Sequence, residues 1–405
     1  MTGVILKIAT MTIFKLTILS ISILIIMAAN VVSPVLADIS HHYRDVHFQL
    51  IKMIITLPAL LIVPFSFLTG PLIKRFEKKY VVMFGITGFL IGGVGGGLVD
   101  NFYSMLMFRA ILGACIGILS PLSISLIADF FCDAEKLTMM GYSSAANNLG
   151  AGFAAIAAGY LAAYHWRYAF FLYTFAIFVL MLVFFLLPKS SDWNKSEEPA
   201  CLEAQVPKAG RNIIKWAGFT FLILIIFFSI PTHLDIFIFS ENLGTSATTG
   251  ILIGLLTGSS FLIGIIFQPL VVILKTRVAP VAFVFFLIGF LILSISSSIY
   301  WIGGAIVYIG AAMGLLIPLI MDTITKEVPS ENTIHALAII NFSLYLGQFI
   351  SPLIPGFLVY FINIPYTRLP FYVSAAISLI SVLALIFAGR AKFEPVYYNY
   401  LKKRD

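Results

Sequence analysis

The sequence predicts an all-α integral membrane protein: twelve transmembrane helices arranged as two related, pseudo-symmetric six-helix bundles. Three observations carry that prediction. Of 405 residues, 60% are hydrophobic and only 11% are charged, which is too little polar surface for a soluble globular chain. Apolar runs of about 18 to 25 residues, the length that crosses a bilayer as helix, recur twelve times. The chain also repeats itself. A shift of 197 positions sets Gly113 on Gly310, Gly117 on Gly314, Pro121 on Pro318, Gly150 on Gly347 and Gly159 on Gly356. The same shift sets Pro34 on Pro231 and Asp38 on Asp235, and one position more sets Pro71-Leu72 on Pro269-Leu270. Glycine coincidences are cheap, but proline and aspartate coincidences in one register are not. Such duplication is frequent in polytopic membrane proteins.

In order, the first six runs fall at 16–38, 50–70, 80–99, 103–128, 138–163 and 168–188. The second six fall at 214–239, 247–273, 278–298, 301–322, 333–361 and 369–388. The chain therefore divides into an N-terminal bundle at 1–188, a cytoplasmic linker at 189–213, a C-terminal bundle at 214–390 and a cytoplasmic tail at 391–405. The linker holds Pro199 and Pro207 among mixed charges without apolar period, the composition of a flexible connection. The tail is basic and rich in tyrosine, which suits a solvated or headgroup-contacting end. At the start, Lys7 and Lys15 precede an apolar run that continues through Val35 with no small-x-small cleavage site, so it reads as a retained first span.

Charge fixes the expected orientation. With the N-terminus in the cytoplasm, twenty lysines and arginines lie on that side, Lys74, Arg75, Lys78, Lys79 and Lys136 among them. Arg44, Lys52, Arg167 and Arg368 are left outside, and Arg109 alone is within the membrane. This bias places both termini inside, in the cell (inner, cytoplasmic) membrane. It also accounts for the net charge of +7 without a nucleic-acid partner. Cys115, Cys132 and Cys201 have no CxxC spacing and read as reduced thiols. His41, His42 and His47 lie together in the first outer loop but lack regular ligand spacing, so no metal site is read there.

Proline and glycine punctuate the spans. Pro34 and Pro231 interrupt the outer parts of spans one and seven, and Pro352 and Pro355 interrupt span eleven, freeing carbonyls that need other donors. Span three carries Gly85, Gly88, Gly92, Gly93, Gly95, Gly96 and Gly97, a face that is almost all backbone and suits close packing. Span four opens RAILGACIG, with Arg109 followed by Gly113 and Gly117, and ends near Asp129. A charge that deep in an apolar run is costly enough to read as functional.

RAILGACIG resembles the helix-four motif of the major facilitator superfamily, particularly its twelve-helix drug:proton antiporter branch, and the resemblance extends over nearly the whole chain. For Arg109 it implies a part in proton coupling, or in the polar network beside a substrate cavity. Between spans two and three, GPLIKRFEKKYVV looks like the family's cytoplasmic gate motif: Gly70, Arg75, Lys78 and Lys79 match, while Lys74 stands at the acidic position and Glu77 at the second glycine. Asp129 resembles the acidic partner of the loop arginine, and a pair with Arg75 is expected from it. In span five, NLGAGFAAIAAGYL matches the antiporter signature at Gly150 and Gly159, with Ala154, Ala155 and Ala158 at its other positions. Trp166-Arg167-Tyr168 before span six resembles a recurring interfacial anchor.

Few groups are available to couple an ion gradient. Arg109 sits roughly 9 Å into span four at about 1.5 Å per residue, and Asp38 roughly 3 Å from the outer end of span one. Asp235 occupies the matching place in span seven with His233 two residues before it. We expect Arg109 to pair with Asp38 or Asp235 in one conformation and to be released in another, protonation of the carboxylate weakening the pair. Asp38 also reads simply as the end of span one in the headgroup region. Polar residues at membrane depth, Asn30, Gln268, Asn341, Tyr345 and Gln348, are candidates for the substrate cavity or for interhelical hydrogen bonds. With 37 phenylalanines the cavity is expected to suit amphipathic or lipophilic solutes.

The expected function is secondary active transport by alternating access: efflux of small amphipathic compounds in exchange for protons, with proton-coupled uptake of a small nutrient as the alternative and a non-transporting membrane sensor as a third reading. The expected partners are a small-molecule substrate, protons and the bilayer, with no cofactor and a monomeric chain. No HExxH, GxSxG or P-loop pattern occurs, so the sequence reads as neither an enzyme nor a direct user of ATP.

Overall fold

A computed structural model describes residues 2–131, 133–188, 211–327, 333–359, 361 and 365–387, and these are helical with short turns between. The calls on Cys132, Cys201, most of the linker and the tail lie outside them. The helices are α1 (Thr2–Asn30), α2 (Leu36–His42), α3 (Phe48–Arg75), α4 (Lys78–Leu98), α5 (Phe102–Phe130), α6 (Asp133–Ala162) and α7 (Phe175–Leu186). They continue as α8 (Arg211–Ser240), α9 (Ser246–Ile265), α10 (Phe267–Leu274), α11 (Val278–Ile295), α12 (Ile299–Glu327), α13 (Thr333–Ile350), α14 (Leu353–Leu358) and α15 (Leu369–Phe387). Among the described residues, ten stretches are long and apolar enough to cross a membrane. Helix α6, with Ser143, Ser144, Asn147 and Asn148 along it, and α13 supply the other two of the predicted twelve.

Helix starts follow local chemistry. Asn101 accepts from the backbone N–H groups of Tyr103 and Ser104 at the head of α5 (2.8 and 3.2 Å), satisfying donors that a helix start leaves open. Thr245 and Thr248 form a reciprocal capping box at α9. His47 accepts from Gln49 N–H and caps α3, while His42 packs edgewise on Tyr43. These are structural uses for two of the three loop histidines.

The chain splits into two compact units, Met1–Pro199 and Ala200–Asp405. Within each, the same helices meet. In the first, α5 packs on α3 and α4, α1 on α6, and α4 on the segment Trp166–Thr174 and α7. In the second, α12 packs on α9 and α11, α8 on α13, and α11 on α15. The repeat extends to single contacts. A Cβ at Gly92 would lie 2.8 Å from the Phe108 carbonyl and 2.7 Å from Leu112 N; at Gly289 it would lie 2.8 Å from the Ala305 carbonyl and 2.6 Å from Ile309 Cγ1. Gly113 and Gly117 lie against the backbone of Pro58 and Ile62, as Gly310 and Gly314 do against Leu256 and Ser260. Small residues in register let helix backbones touch where lipid offers no hydrophobic drive.

Four spans are not continuous helices, and span one resumes as α2 after the 3-10 turn Ser33–Val35 that follows α1. Span six begins as a 3-10 turn, Trp166–Thr174, before α7. Its period of three stacks Phe170 and Tyr173 on one side, where Gly93 and Gly97 of α4 leave room for them: an added Cβ would lie 2.5 Å from Tyr173 Cγ and 2.6 Å from Phe170 Cβ. Span eight breaks at Ile266 between α9 and α10, where Pro269 has no N–H to return to Ile265. Span eleven breaks at Ser351-Pro352 into α13 and α14, and Ser351 Oγ donates to the Ile225 carbonyl of α8 at 2.7 Å.

Candidate functional site

The centre of the first unit is Arg109, fully buried at 0% exposure. Its partner is created by the end of α1. Pro34 follows the helix, and Val32 N–H turns to Ala29 O at 3.3 Å instead of to Ala28 O. The Ala28 carbonyl therefore leaves the helical ladder, and a buried carbonyl needs another donor. Tyr173 Oη donates to it at 3.0 Å, and Arg109 Nη1 donates to it at 3.4 Å and to Tyr173 Oη at 2.8 Å. The guanidinium carbon lies 4.9 Å from the Phe170 ring centroid and 5.1 Å from that of Tyr173, an aromatic contact that offsets part of the desolvation of the cation. Nε and Nη2 are buried with no hydrogen-bond partner.

Neither carboxylate expected to pair with Arg109 in one conformation, Asp38 or Asp235, is among these partners. Asp38 lies half-buried in the first turn of α2, beyond the break, while Arg109 is drawn to the carbonyl and phenol on its own level. Asp235 and His233 belong to the second unit. Both are buried, at 2% and 3% exposure, just after Pro231 of α8. His233 Nδ1 is 2.8 Å from Thr232 Oγ1 and 3.2 Å from the Ser229 carbonyl. Ser374 of α15 donates to Ser229 Oγ at 3.0 Å. A polar patch thus surrounds the proline kink, and the serines and threonine in it were not singled out from sequence.

Arg109 is not the only fully buried basic side chain among the described residues. Lys52, assigned from sequence to the outer side, is also at 0% exposure, with its ammonium 4.6 Å from the Phe48 ring centroid. The cap at His47 starts α3 at Phe48 and so carries Lys52 one turn into the helix.

The gate residues pair differently from expectation. Asp129 Oδ2 receives Lys78 Nζ at 2.6 Å, with Ser125 Oγ within reach of both at 3.1 and 3.3 Å. Arg75 instead lies over Phe76, 5.7 Å from its centroid. Phe76 and Glu77 are extended between α3 and α4, so Lys78, at the head of α4, is the cation brought to the end of α5. Lys79 donates to the Phe184 carbonyl at 2.7 Å, in the last turn of α7, where orphan carbonyls attract a cation. Lys15 of α1 pairs with Glu135 of α6 at 2.6 Å. Gly70 is exposed, with nothing within 4 Å of an added Cβ.

At the other end, an arginine before the last span of each unit ties two loops together. Arg167 binds Asp100 at 2.5 Å, and this hydrogen bond holds the Asp100 carboxyl below its ordinary value. Arg368 forms a bidentate pair with Glu241, at 3.0 and 2.9 Å, and also donates to Ser294 O and Ser297 Oγ at 3.1 and 2.9 Å. The hydrogen bond from Arg368 depresses the Glu241 pKa.

The cavity candidates separate. Asn30 donates to Ile26 O in its own helix at 2.8 Å. Asn341, Tyr345 and Gln348 fall on one face of α13 by their spacing, half-buried, half-buried and buried respectively. Gln268, the candidate from span eight, is exposed on α10, beyond the break at Ile266.

Comparisons extend the picture. A curated triacylglyceride transporter of Mycolicibacterium hassiacum is 28% identical over 135 residues, which cover 33% of this chain but only 25% of that protein's length. Among solved structures, a D-xylose–proton symporter superposes with a TM-score of 0.72 at 14% identity, covering 95% of this chain and 98% of its own. A bacterial homologue of the human lysosomal transporter Spinster, inward-facing and occupied, gives 0.71 at 13% identity over 94% and 97%. At such identities the likeness is one of fold. The profile of the Major Facilitator Superfamily matches residues 18–332 and 217–397. With a match that runs through both repeated halves, the chain belongs to the Major Facilitator Superfamily and carries its membrane-transporter fold.

Proposed function

We propose that the protein is a secondary active transporter that exports small amphipathic compounds in exchange for protons, its two units alternating the side on which the substrate site is open. One observation supports this most: a fully buried Arg109 held by a phenol and a single released carbonyl, an arrangement with few bonds to exchange. In the other state Arg109 moves to a carboxylate, Asp38 or Asp235, and protonation of that carboxylate returns it to Tyr173 and Ala28. Asp38 follows directly on the break that releases the Ala28 carbonyl, so one movement of that segment shifts both partners. In this reading the Lys78–Asp129 end is cytoplasmic and the Arg167–Asp100 end faces outward. Asn30, Asn341, Tyr345 and Gln348 are the substrate contacts, the proton gradient supplies the energy, and the chain works as a monomer in the inner membrane. The name of the triacylglyceride transporter relative agrees with a lipophilic cargo.

The test is substrate-dependent proton movement in proteoliposomes of the purified protein, screened over amphipathic compounds with an imposed pH gradient. Proton entry coupled to substrate exit supports exchange. Co-directional movement replaces it with proton-driven uptake, and no flux with any compound leaves a membrane sensor.

A further inference from the structure

We infer that the substrate presents a carboxylate, and that Arg109 binds it through the edge formed by Nε and Nη2. The inference rests on the transporter reading above and names its substrate class. Among the described residues, Arg109 is the only side chain with two buried donors that meet no acceptor. They lie side by side on one edge of the planar guanidinium, the geometry that takes both oxygens of a carboxylate at once. Nη1 alone is engaged, by Tyr173 and Ala28, so the side chain is anchored at one corner and presents the opposite edge. A buried charged donor without an acceptor is costly, and a fold does not need this one. In the second unit, where Gly310 and Gly314 repeat the crossing of Gly113 and Gly117, the place of Arg109 falls to Ile306, buried at 0% exposure. The arginine is thus an addition to the repeated scaffold.

Charge points the same way. Among the described residues of the first unit, no carboxylate is buried, whereas Arg109 is fully so. The field of the guanidinium opposes a lipophilic cation and favours an anion, since charges act strongly at low dielectric. The aromatic surroundings of Phe170 and Tyr173 suit an apolar tail. Access requires the end of α1 to move, and the 3-10 break after Asn30 is where that helix already lacks its regular ladder.

The test compares decanoate, decanol and decyltrimethylammonium, which share a chain and differ in head, binding to the full chain in lipid nanodiscs with empty discs as background. At about pH 7.5, where a carboxyl is ionised, decanoate is expected to bind about tenfold or more tightly than the other two, as a charge-assisted bidentate contact implies. Arg109→Lys keeps the charge but loses the two-donor edge, and is expected to lose that preference while decanol binding stays. Asp38→Asn separates the protein's own carboxylate from the substrate's, and is expected to bind decanoate at least as tightly as wild type.

Decyltrimethylammonium binding as tightly as decanoate overturns the inference, as does an intact preference in Arg109→Lys. So does a tenfold loss in Asp38→Asn, which would mark the protonated acid as ligand. Preferential decanoate binding without proton movement sinks the exchange reading and leaves this site standing. Proton exchange driven by the cation alone does the reverse.

Discussion

Tyr173→Phe is expected to destabilise the first unit by about 2 kcal/mol, and Arg109→Met in the same chain is expected to recover at least half of that loss. The phenylalanine keeps the ring whose centroid lies 5.1 Å from the guanidinium and removes only the hydroxyl. Two hydrogen bonds go: the charge-assisted one from Arg109 at 2.8 Å and the one to Ala28 O at 3.0 Å. The first is worth about 1.5 kcal/mol at the low end for a charged donor, the second about 0.6 kcal/mol by the mean for membrane proteins. What remains is a buried cation held by one bond of 3.4 Å. Replacing that cation with an apolar side chain of similar length removes the unmet donors, and such replacements are commonly neutral or stabilising. The four proteins form a double-mutant cycle, measured by SDS-induced unfolding in mixed micelles with circular dichroism as readout. Tyr173→Phe as stable as wild type, or a double variant less stable than Tyr173→Phe, would refute the account of this node.

Gly92→Val and Gly289→Val are expected to lose similar stability, about 1–3 kcal/mol each by overpacking, because both place carbon against backbone at matched crossings. Thermal unfolding of the two purified variants checks this, and a large gap between them contradicts the shared register. Asp129→Asn is expected to lose a partly exposed pair with Lys78 worth about 0.5 kcal/mol after solvent screening. Arg75→Ala leaves that pair intact, so the cycle of Lys78 with Asp129 should show coupling and that of Arg75 with Asp129 none. Acid should weaken the Arg368–Glu241 clamp of the second unit. The Glu241 pKa is lower folded than unfolded, so its contribution is complete above the unfolded value, about 4.3, and fades as pH falls through the folded one. In Glu241→Gln that part of the acid dependence of the unfolding midpoint should vanish.

Much of the architecture is legible in the sequence because lipid leaves few choices. Apolar length gives the spans, and the glycines that recur 197 positions apart, Gly113 with Gly310 and Gly117 with Gly314, are the ones that touch a neighbouring backbone in each unit. The burial of Arg109 follows from its depth in an apolar run. Its partners do not. Tyr173 reaches it only because the head of span six winds as a 3-10 turn into the gap left by Gly93 and Gly97, a tertiary accommodation that no local period encodes. Ala28 accepts because Val32 N–H chooses a carbonyl three residues back rather than four, a matter of one hydrogen bond next to a proline. The burial of Lys52, one turn into α3 with its ammonium over Phe48, is likewise set by packing. The exchange of Arg75 for Lys78 beside Asp129 turns on two extended residues, Phe76 and Glu77, whose backbone decides which basic side chain meets the end of α5.

The most direct test of the central claim is gradient-driven transport by Arg109→Ala in proteoliposomes, beside wild type at equal reconstituted density. The account predicts that wild type moves an amphipathic substrate against its concentration gradient when a pH gradient is imposed. It predicts that Arg109→Ala, inserted and folded by circular dichroism, accumulates none. Accumulation by the variant at the wild-type level would contradict it.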